Sequence, residues 1–251
     1  MTKLALLGAT GSLGRHVMQQ AIAANHEVTV IVRSSSRLPH DLRDKVTVQL
    51  ADLSHTSVSE YATLIAGHEA LINVAGHVTD SKAFVEQIDK LVTAIESLED
   101  HRRPVSWFMA GAALLDIDAS GRRGVDLPVI GRTYRPHLVN FERMRHAHID
   151  WRILCPGPMV EQPALGLERM RMSLNKLPVE INAFARMLPG ALFLPVFSSV
   201  VPQMIVPYAD AAALMLANMK HGDAMSRHRV GLALPVGMRG SKDQWTAKKA
   251  P

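Results

Sequence analysis

Near the start of the chain, Gly8-Ala9-Thr10-Gly11-Ser12-Leu13-Gly14 follows directly on an apolar run at residues 4–7 and opens a helical pattern that continues to Asn25. A buried strand that ends in a tight glycine turn and passes into a helix presents free backbone N–H groups, and the positive end of the helix dipole, to whatever fills the turn. Gly8 permits the turn, Gly11 lets a pyrophosphate approach the backbone, and Gly14 lets the helix pack close to the strand. Thr10, Ser12 and Leu13 complete the loop. An ordinary strand-to-helix turn is the alternative, and the agreement of strand, spacing and helix argues against it in favour of a dinucleotide.

The end of the second strand decides which dinucleotide. Residues 27–32 read as a strand, and an NAD-selective site would carry a carboxylate after it for the ribose hydroxyls. This chain has Arg33-Ser34-Ser35-Ser36-Arg37 there. Two guanidiniums with hydroxyls between them suit a 2′-phosphate, so NADP(H) is the expected cofactor, with a solvated basic loop as the plainer reading. After the third strand, Asp52 is placed to accept from an adenine amino group while Leu53 packs on the ring, or to cap a turn, or both. Asn73-Val74-Ala75-Gly76 and Met109-Ala110-Gly111-Ala112 end the fourth and fifth strands, and Pro156 closes the sixth. In such sheets ligands bind at this carboxyl edge.

Tyr134 and His137 are the candidate proton donors. A lysine four residues after Tyr134 would lower the phenol's pKa, but Leu138 stands there. Pro136 lies between the two candidates and is expected to disrupt the helix they would share. The 12 histidines include His16, His26, His40, His55, His68, His77 and His101, scattered over helices and loops. His146 and His148 lack i,i+4 spacing, so no metal site is expected. The single cysteine, Cys155, reads as buried packing, excludes an intrachain disulfide and fits a reducing cytoplasm. No Gly-x-Ser-x-Gly string points to an esterase.

These groups must be held by elements that alternate strand and helix, which predicts an α/β, doubly wound parallel sheet of Rossmann type. Strands are expected at residues 4–7, 28–32, 46–50, 70–74, 105–110 and 152–154, and helices at 13–24, 58–65, 84–98 and 137–148. A later helix at 209–219 and a strand near 229–234 would complete the sheet. The expected organisation is a cofactor domain over 1–160, a helical lobe over 161–203 covering the substrate cleft, a return to the core over 204–235 and a basic tail over 236–251. Met170, Met172, Met187 and Met204 could line an adaptable pocket in that lobe or serve as core.

At 251 residues, with 47% hydrophobic and 20% charged residues, the chain can bury one large core. The net charge of +5 is dispersed, with its strongest local excess at residues 242–249, so no nucleic-acid partner is expected. No stretch reads as a leader or a membrane span, and Pro195 interrupts the apolar run 191–201.

The stretches Gly8 through Gly14, 28–33, 109–116, 150–157 and 206–212 resemble the atypical short-chain dehydrogenase/reductase superfamily, more narrowly its NAD(P)H-binding, NmrA-like and flavin-reductase-like branches. The resemblance covers about residues 1–235. It implies a cofactor held by Gly8, Thr10, Gly11, Leu13 and Gly14, with Arg33 and Arg37 on the 2′-phosphate. It also implies that Asp52 and Leu53 flank adenine and that Val74, Ala75 and Gly76 run beside the dinucleotide. Relatives commonly carry an arginine where this chain has Cys155, and some carry the tyrosine and lysine pair that it lacks. Two functions follow as expectations. One is an NADPH-dependent reductase acting on a small aromatic, quinone or flavin-like acceptor. The other is a non-catalytic NADP(H) sensor that meets a second copy or another protein through the later lobe.

Overall fold

The computed structural model describes residues 1–76, 81–128 and 130–241, so His77 and the basic stretch 242–249 lie outside the described residues. The chain divides into two compact units. The first comprises Met1–Phe108, Val139–Arg152 and Met215–Arg227, and the second comprises Met109–Leu138, Ile153–Leu214 and His228–Pro251. Together their elements make an α/β fold of Rossmann type with an additional C-terminal lobe of helices and strands.

In the first unit, β1 (Lys3–Leu7), β2 (Glu27–Val32), β3 (Thr47–Leu50), β4 (Ala70–Asn73) and β5 (Val105–Met109) form a sheet in the order β3-β2-β1-β4-β5. Neighbouring strands run parallel, with Leu7 opposite both Ile31 and Asn73. Chain order first runs outward from β1 to β3, then jumps to β4 on the other side. This reversal is a topological switch point, where the strand ends part and leave a crevice. It also sends α1 (Ser12–Ala23) to one face and α3 (Val58–Ile65) and α4 (Ser81–Ser97) to the other, since parallel crossovers are right-handed. Covered on both faces, Leu4, Ala5, Leu6 and Leu7 are wholly buried, which is why β1 is an unbroken apolar run.

Local chemistry sets the helix ends. Asn25 takes φ 58° just after α1, a left-handed exit. Ser57 and Glu60 form a capping box at the start of α3, each side chain accepting from the other's backbone N–H. The short α2 (His40–Arg43) follows the serine loop. The buried face of α4 carries Phe84, Ile88, Leu91, Val92 and Ile95, and in their midst the polar Gln87.

Helix α5 spans Ile130–Arg145, starting well before the expected residue 137 and keeping Pro136 in its interior. The proline therefore does not break the helix that Tyr134 and His137 share. It removes one N–H to the preceding turn, where Arg132 is exposed and its carbonyl can turn to water. The C-terminal half of α5 lies in the first unit, where Arg143 bonds Asp89 and Glu96 at 2.6 Å each. Arg152, at the start of β6 (Trp151–Pro156), is fully buried between Asp150 at 3.1 Å and Asp223 at 3.0 Å.

The second unit holds most of β6, then β7 (Met159–Val160), β8 (Arg171–Leu174), α6 (Ala183–Arg186), α7 (Gly190–Val200), β9 (Val206–Pro207), most of α8 (Tyr208–Ala217) and β10 (His228–Ala233). The order is β6-β10-β8, with β8 antiparallel to β10. The region expected to be helical thus contributes a strand, and its helices are short, with Pro195 inside α7. The four methionines do not share one environment: Met170 and Met204 are buried, whereas Met172 and Met187 are exposed. The buried Asp210 carboxylate accepts from the N–H groups of Leu165 and Gly166 and closes the loop that leads into β8.

The closest constraint is at the start of α1. A methyl group at Gly14 would lie 2.0 Å from the Gly8 carbonyl oxygen, which is backbone and cannot step aside. Gly14→Ala is expected to lower the unfolding free energy by about 1–3 kcal/mol or more, measured by chemical denaturation.

Candidate cofactor cleft

The first unit carries a cleft of about 520 Å³ at the switch point between β1 and β4. Its wall includes Gly8, Thr10 and Gly11 from the glycine turn, Arg33, Ser34 and Arg37 from the loop after β2, Asp52, Leu53 and Ser54 after β3, and Val74, Ala75 and Gly76 after β4. Residues far apart in the chain meet here because each follows the carboxyl end of a parallel strand.

The turn works as its glycines require. Gly8 has φ +88°, and a Cβ on it would meet the Ala75 nitrogen at 2.6 Å, so this position is closed to any side chain. Gly11 is the N-cap of α1 and offers no side chain to the helix N–H groups, and the first turn of α1 holds no acidic residue. Those donors therefore remain available at the positive end of the dipole. A Cβ at Gly11 would touch only the Gly8 oxygen, at 3.4 Å, which is ordinary contact. Leu13 and Gly14 are buried against the turn while Ser12 is exposed. The β4 end is held by Asn73, whose buried side chain accepts from the Ala75 N–H at 3.1 Å.

The serine loop is built, not merely solvated. Residues Ser35–Arg37 form a 3-10 turn that Ser34 caps, accepting from the Ser36 N–H at 3.3 Å, with the two hydroxyls 2.8 Å apart. Arg43 of α2 donates to the Ser35 carbonyl at 2.9 Å and fastens the turn from outside. Arg33 and Arg37 are exposed, and no ion pair engages either of them among the described residues. Two guanidiniums therefore stand at the rim of the cleft.

Asp52 both lines the cleft and ties its own turn. Its carboxylate accepts from the Ser54 N–H at 3.1 Å and lies 3.0 Å from the His55 ring. The His55 contact first, then the Ser54 N–H, hold its pKa below the usual carboxylate range. The Tyr61 hydroxyl donates to the Leu53 carbonyl at 2.9 Å and supports the same turn from beneath.

Sequence reasoning missed Ser54 as a lining residue, and above all Gln87. Gln87 lines the cleft although only 4% of it is exposed. A polar residue among the apolar positions of α4 was the available signal, three residues after Phe84 and four before Leu91.

The other expected site residues lie in the second unit. Ala110 follows β5 and donates to the Leu154 carbonyl at 2.9 Å, and Pro156 ends β6. The Tyr134 and His137 rings are 5.7 Å apart. Tyr134 packs on Gly111, where a Cβ would come within 2.5 Å of its ring, and His137 bonds the backbone of Met109. Both candidates therefore stand beside Met109 and Gly111. Burial pushes the Tyr134 phenol up and the His137 imidazole down. Cys155 is buried, which pushes its thiol well above the usual range. Among the described residues, no group of three or more His, Cys, Asp or Glu side chains could hold a metal, and no helix is long and apolar enough to cross a membrane.

Known proteins share the fold of this chain. Residues 8–182 match the model of the NAD(P)H-binding family. YwnB of Bacillus subtilis is 24% identical over 160 residues, which are 62% of this chain and 71% of that protein. The oxidoreductase ylbE of Lactococcus lactis superposes with a TM-score of 0.65 at 16% identity, over 98% of this chain and 95% of that one. ChuY, an anaerobillin reductase of Escherichia coli, gives a TM-score of 0.62 at 16% identity, over 95% of this chain and 99% of the other. At such identities the structures share the fold. The family match takes in the glycine turn, the serine loop and the β4 end that form the cleft, and the chain belongs to the NAD(P)H-binding family.

Proposed function

We propose that the chain is an NADP(H)-dependent reductase acting on a small aromatic, quinone or flavin-like acceptor. The observation that carries the cofactor choice is the braced turn from Arg33 to Arg37, which offers two guanidiniums and no carboxylate at the end of β2. A 2′-phosphate there would gain charge-assisted bonds that a bare ribose cannot. When bound, the nicotinamide supplies the hydride. The chain's own work is to hold the pyrophosphate on the turn after Gly8, to seat the 2′-phosphate on Arg33 and Arg37, and to exclude water.

Tyr134 is the better proton donor of the two candidates in this reading. With its pKa raised, the phenol stays protonated throughout the neutral range, whereas His137, with its pKa lowered, is a neutral imidazole there. The missing lysine matters less for quinone and flavin acceptors, which can also draw protons from solvent. A sensor role is favoured by one feature, the exposed Phe184 on α6, Met187 just after it and Leu192 on α7, at 84%, 82% and 62% accessibility. Tight NADP(H) binding with no turnover on any acceptor would select that reading.

Calorimetric titration is expected to show tighter binding of NADPH than NADH. Arg33→Ala should weaken NADPH by roughly ten- to a hundredfold and NADH by much less, because only NADPH loses a charged hydrogen bond. Equal losses would defeat the 2′-phosphate assignment. Gly11→Val should keep its circular dichroism spectrum yet lose cofactor binding, since the added side chain obstructs the approach to the backbone.

NADPH oxidation by a quinone or flavin without added metal, followed by absorbance, should keep a pH-independent kcat from about pH 7 to 9, as a phenol that has not begun to ionise requires. Tyr134→Phe should lower kcat by about a hundredfold at unchanged cofactor affinity. An unchanged rate would leave protonation to solvent.

A further inference from the structure

The second unit has a groove of its own, of about 1080 Å³, wrapped around β8. β8 ends its sheet, and among the described residues no further strand covers its outer edge. Because side chains alternate across a strand, the groove takes Arg171 and Ser173 from one face of β8 and Met172 and Leu174 from the other. Met172 and Leu174 are 46% and 36% exposed, and Val236 on the same wall is 83% exposed. Apolar groups that line a concavity, unlike those scattered singly over a convex surface, are placed to meet a ligand.

Arg171 supplies the polar part of this wall. Its Nε donates to the Leu234 carbonyl at 2.7 Å and its Nη2 to the side-chain oxygen of Gln203, in the turn between α7 and β9, at 3.0 Å. Both acceptors are neutral, so they fix the guanidinium without neutralising it. Two of its five N–H groups are used in this way, and Nη1 has no partner among the described residues. Burial pushes the guanidinium pKa down and Glu180 offsets only part of that, as for a cation short of an anion. The other carboxylates of the groove are engaged elsewhere, Asp116 with Arg229 at 2.8 Å and Asp118 with Arg122 at 3.1 Å. Glu180 is exposed and forms no ion pair with Arg171 among the described residues.

We propose that this groove binds an apolar monocarboxylate, whose carboxylate pairs with Arg171 and whose hydrocarbon body lies over Met172 and Val236. The groove shares no lining residue with the cofactor cleft, and the inference does not rest on the NADP(H) reading. A planar guanidinium already held through Nε and Nη2 is pre-organised for a carboxylate, which a compact ammonium is not. An ion pair open to water gains little by itself. The apolar wall adds the area whose removal from water supplies most of the affinity, so the ligand needs both a charge and a chain.

Calorimetric titration of the whole protein with octanoate is the test, and saturable binding is expected. Acetate, which keeps the charge but has no chain, should bind about a hundredfold more weakly. Neutral 1-octanol, which keeps the chain, should bind about tenfold more weakly. Arg171→Lys should weaken octanoate about tenfold, because the charge remains while the planar fork is lost. Val236→Glu changes an exposed side chain and puts a like charge on the wall, so it should weaken octanoate at least about tenfold and 1-octanol far less. Arg171→Lys also loosens the contacts to Leu234 and Gln203, so its circular dichroism is recorded, and Val236→Glu decides alone if that variant does not fold. No octanoate binding up to millimolar concentration, equal affinity for octanoate and 1-octanol, or octanoate affinity unchanged in the folded variants would each overturn the assignment, the last by placing the ligand elsewhere on the protein.

Discussion

The N-terminus of α1 is pressed against the turn that leaves β1 until backbone touches backbone, with room at Gly14 for a hydrogen and nothing more. This contact sets the direction of α1, and so sets where its unfilled N–H groups point. Gly8 beside it is in the left-handed region, and the turn lies against Ala75 at the end of β4. The floor of the cleft is thus made by close approach of two strand ends, and the space above it exists because the chain reverses direction between β3 and β4. A larger residue at Gly8 or Gly14 would act on the scaffold, whereas one at Gly11 would act on what the scaffold holds.

Around that floor the cleft is polar in an ordered way. The helix terminus and the two exposed arginines gather positive potential where phosphates would lie. The carboxylate of Asp52 stands at another part of the wall, kept ionised by His55 and Ser54. Side chains that never face the ligand maintain this separation: Arg43 fastens the serine turn, Asn73 the β4 end, and Tyr61 the turn at Leu53. Each is a hydrogen bond to backbone, and each converts a loop into a surface of defined shape.

The second unit solves a different problem. Tyr134 and His137 are held beside Gly111 and Met109 by a helix that runs through Pro136 without stopping. The lobe beyond β6 is tied by Asp210 to its entry loop and by Arg122 to the carbonyl of Leu188 at 2.7 Å, with the guanidinium over the Phe193 ring at 4.6 Å. The lobe's shape thus depends on polar clasps as well as on apolar packing. Its exposed apolar residues are those on and beside the short helices, where few neighbours exist to cover them.

Much of this was legible in residue order because the signals are local. A fully apolar strand, glycines at fixed offsets, a basic hydroxyl-rich segment after β2 and small residues after β4 each report on backbone geometry or charge within a few positions. They were sufficient for the α/β plan and for most of the residues that line the cleft. Helix α5 was misjudged because proline is costly in isolation, while the tertiary structure supplies the packing that outweighs one missing hydrogen bond. The strand β8 was missed because an edge strand of four residues draws its reason to exist from β10, more than fifty residues away. Gln87 shows the same division. Its polarity on an apolar helix face was visible in the chain, but that it borders the cleft beside the Tyr61 hydroxyl depends on Tyr61, Leu53 and the end of β4 arriving from elsewhere. Local sequence determined which elements form and what charge each carries, because those follow from covalent neighbours; which polar groups remain unsatisfied was decided only when distant elements packed, because hydrogen-bond partners are allotted by tertiary contact.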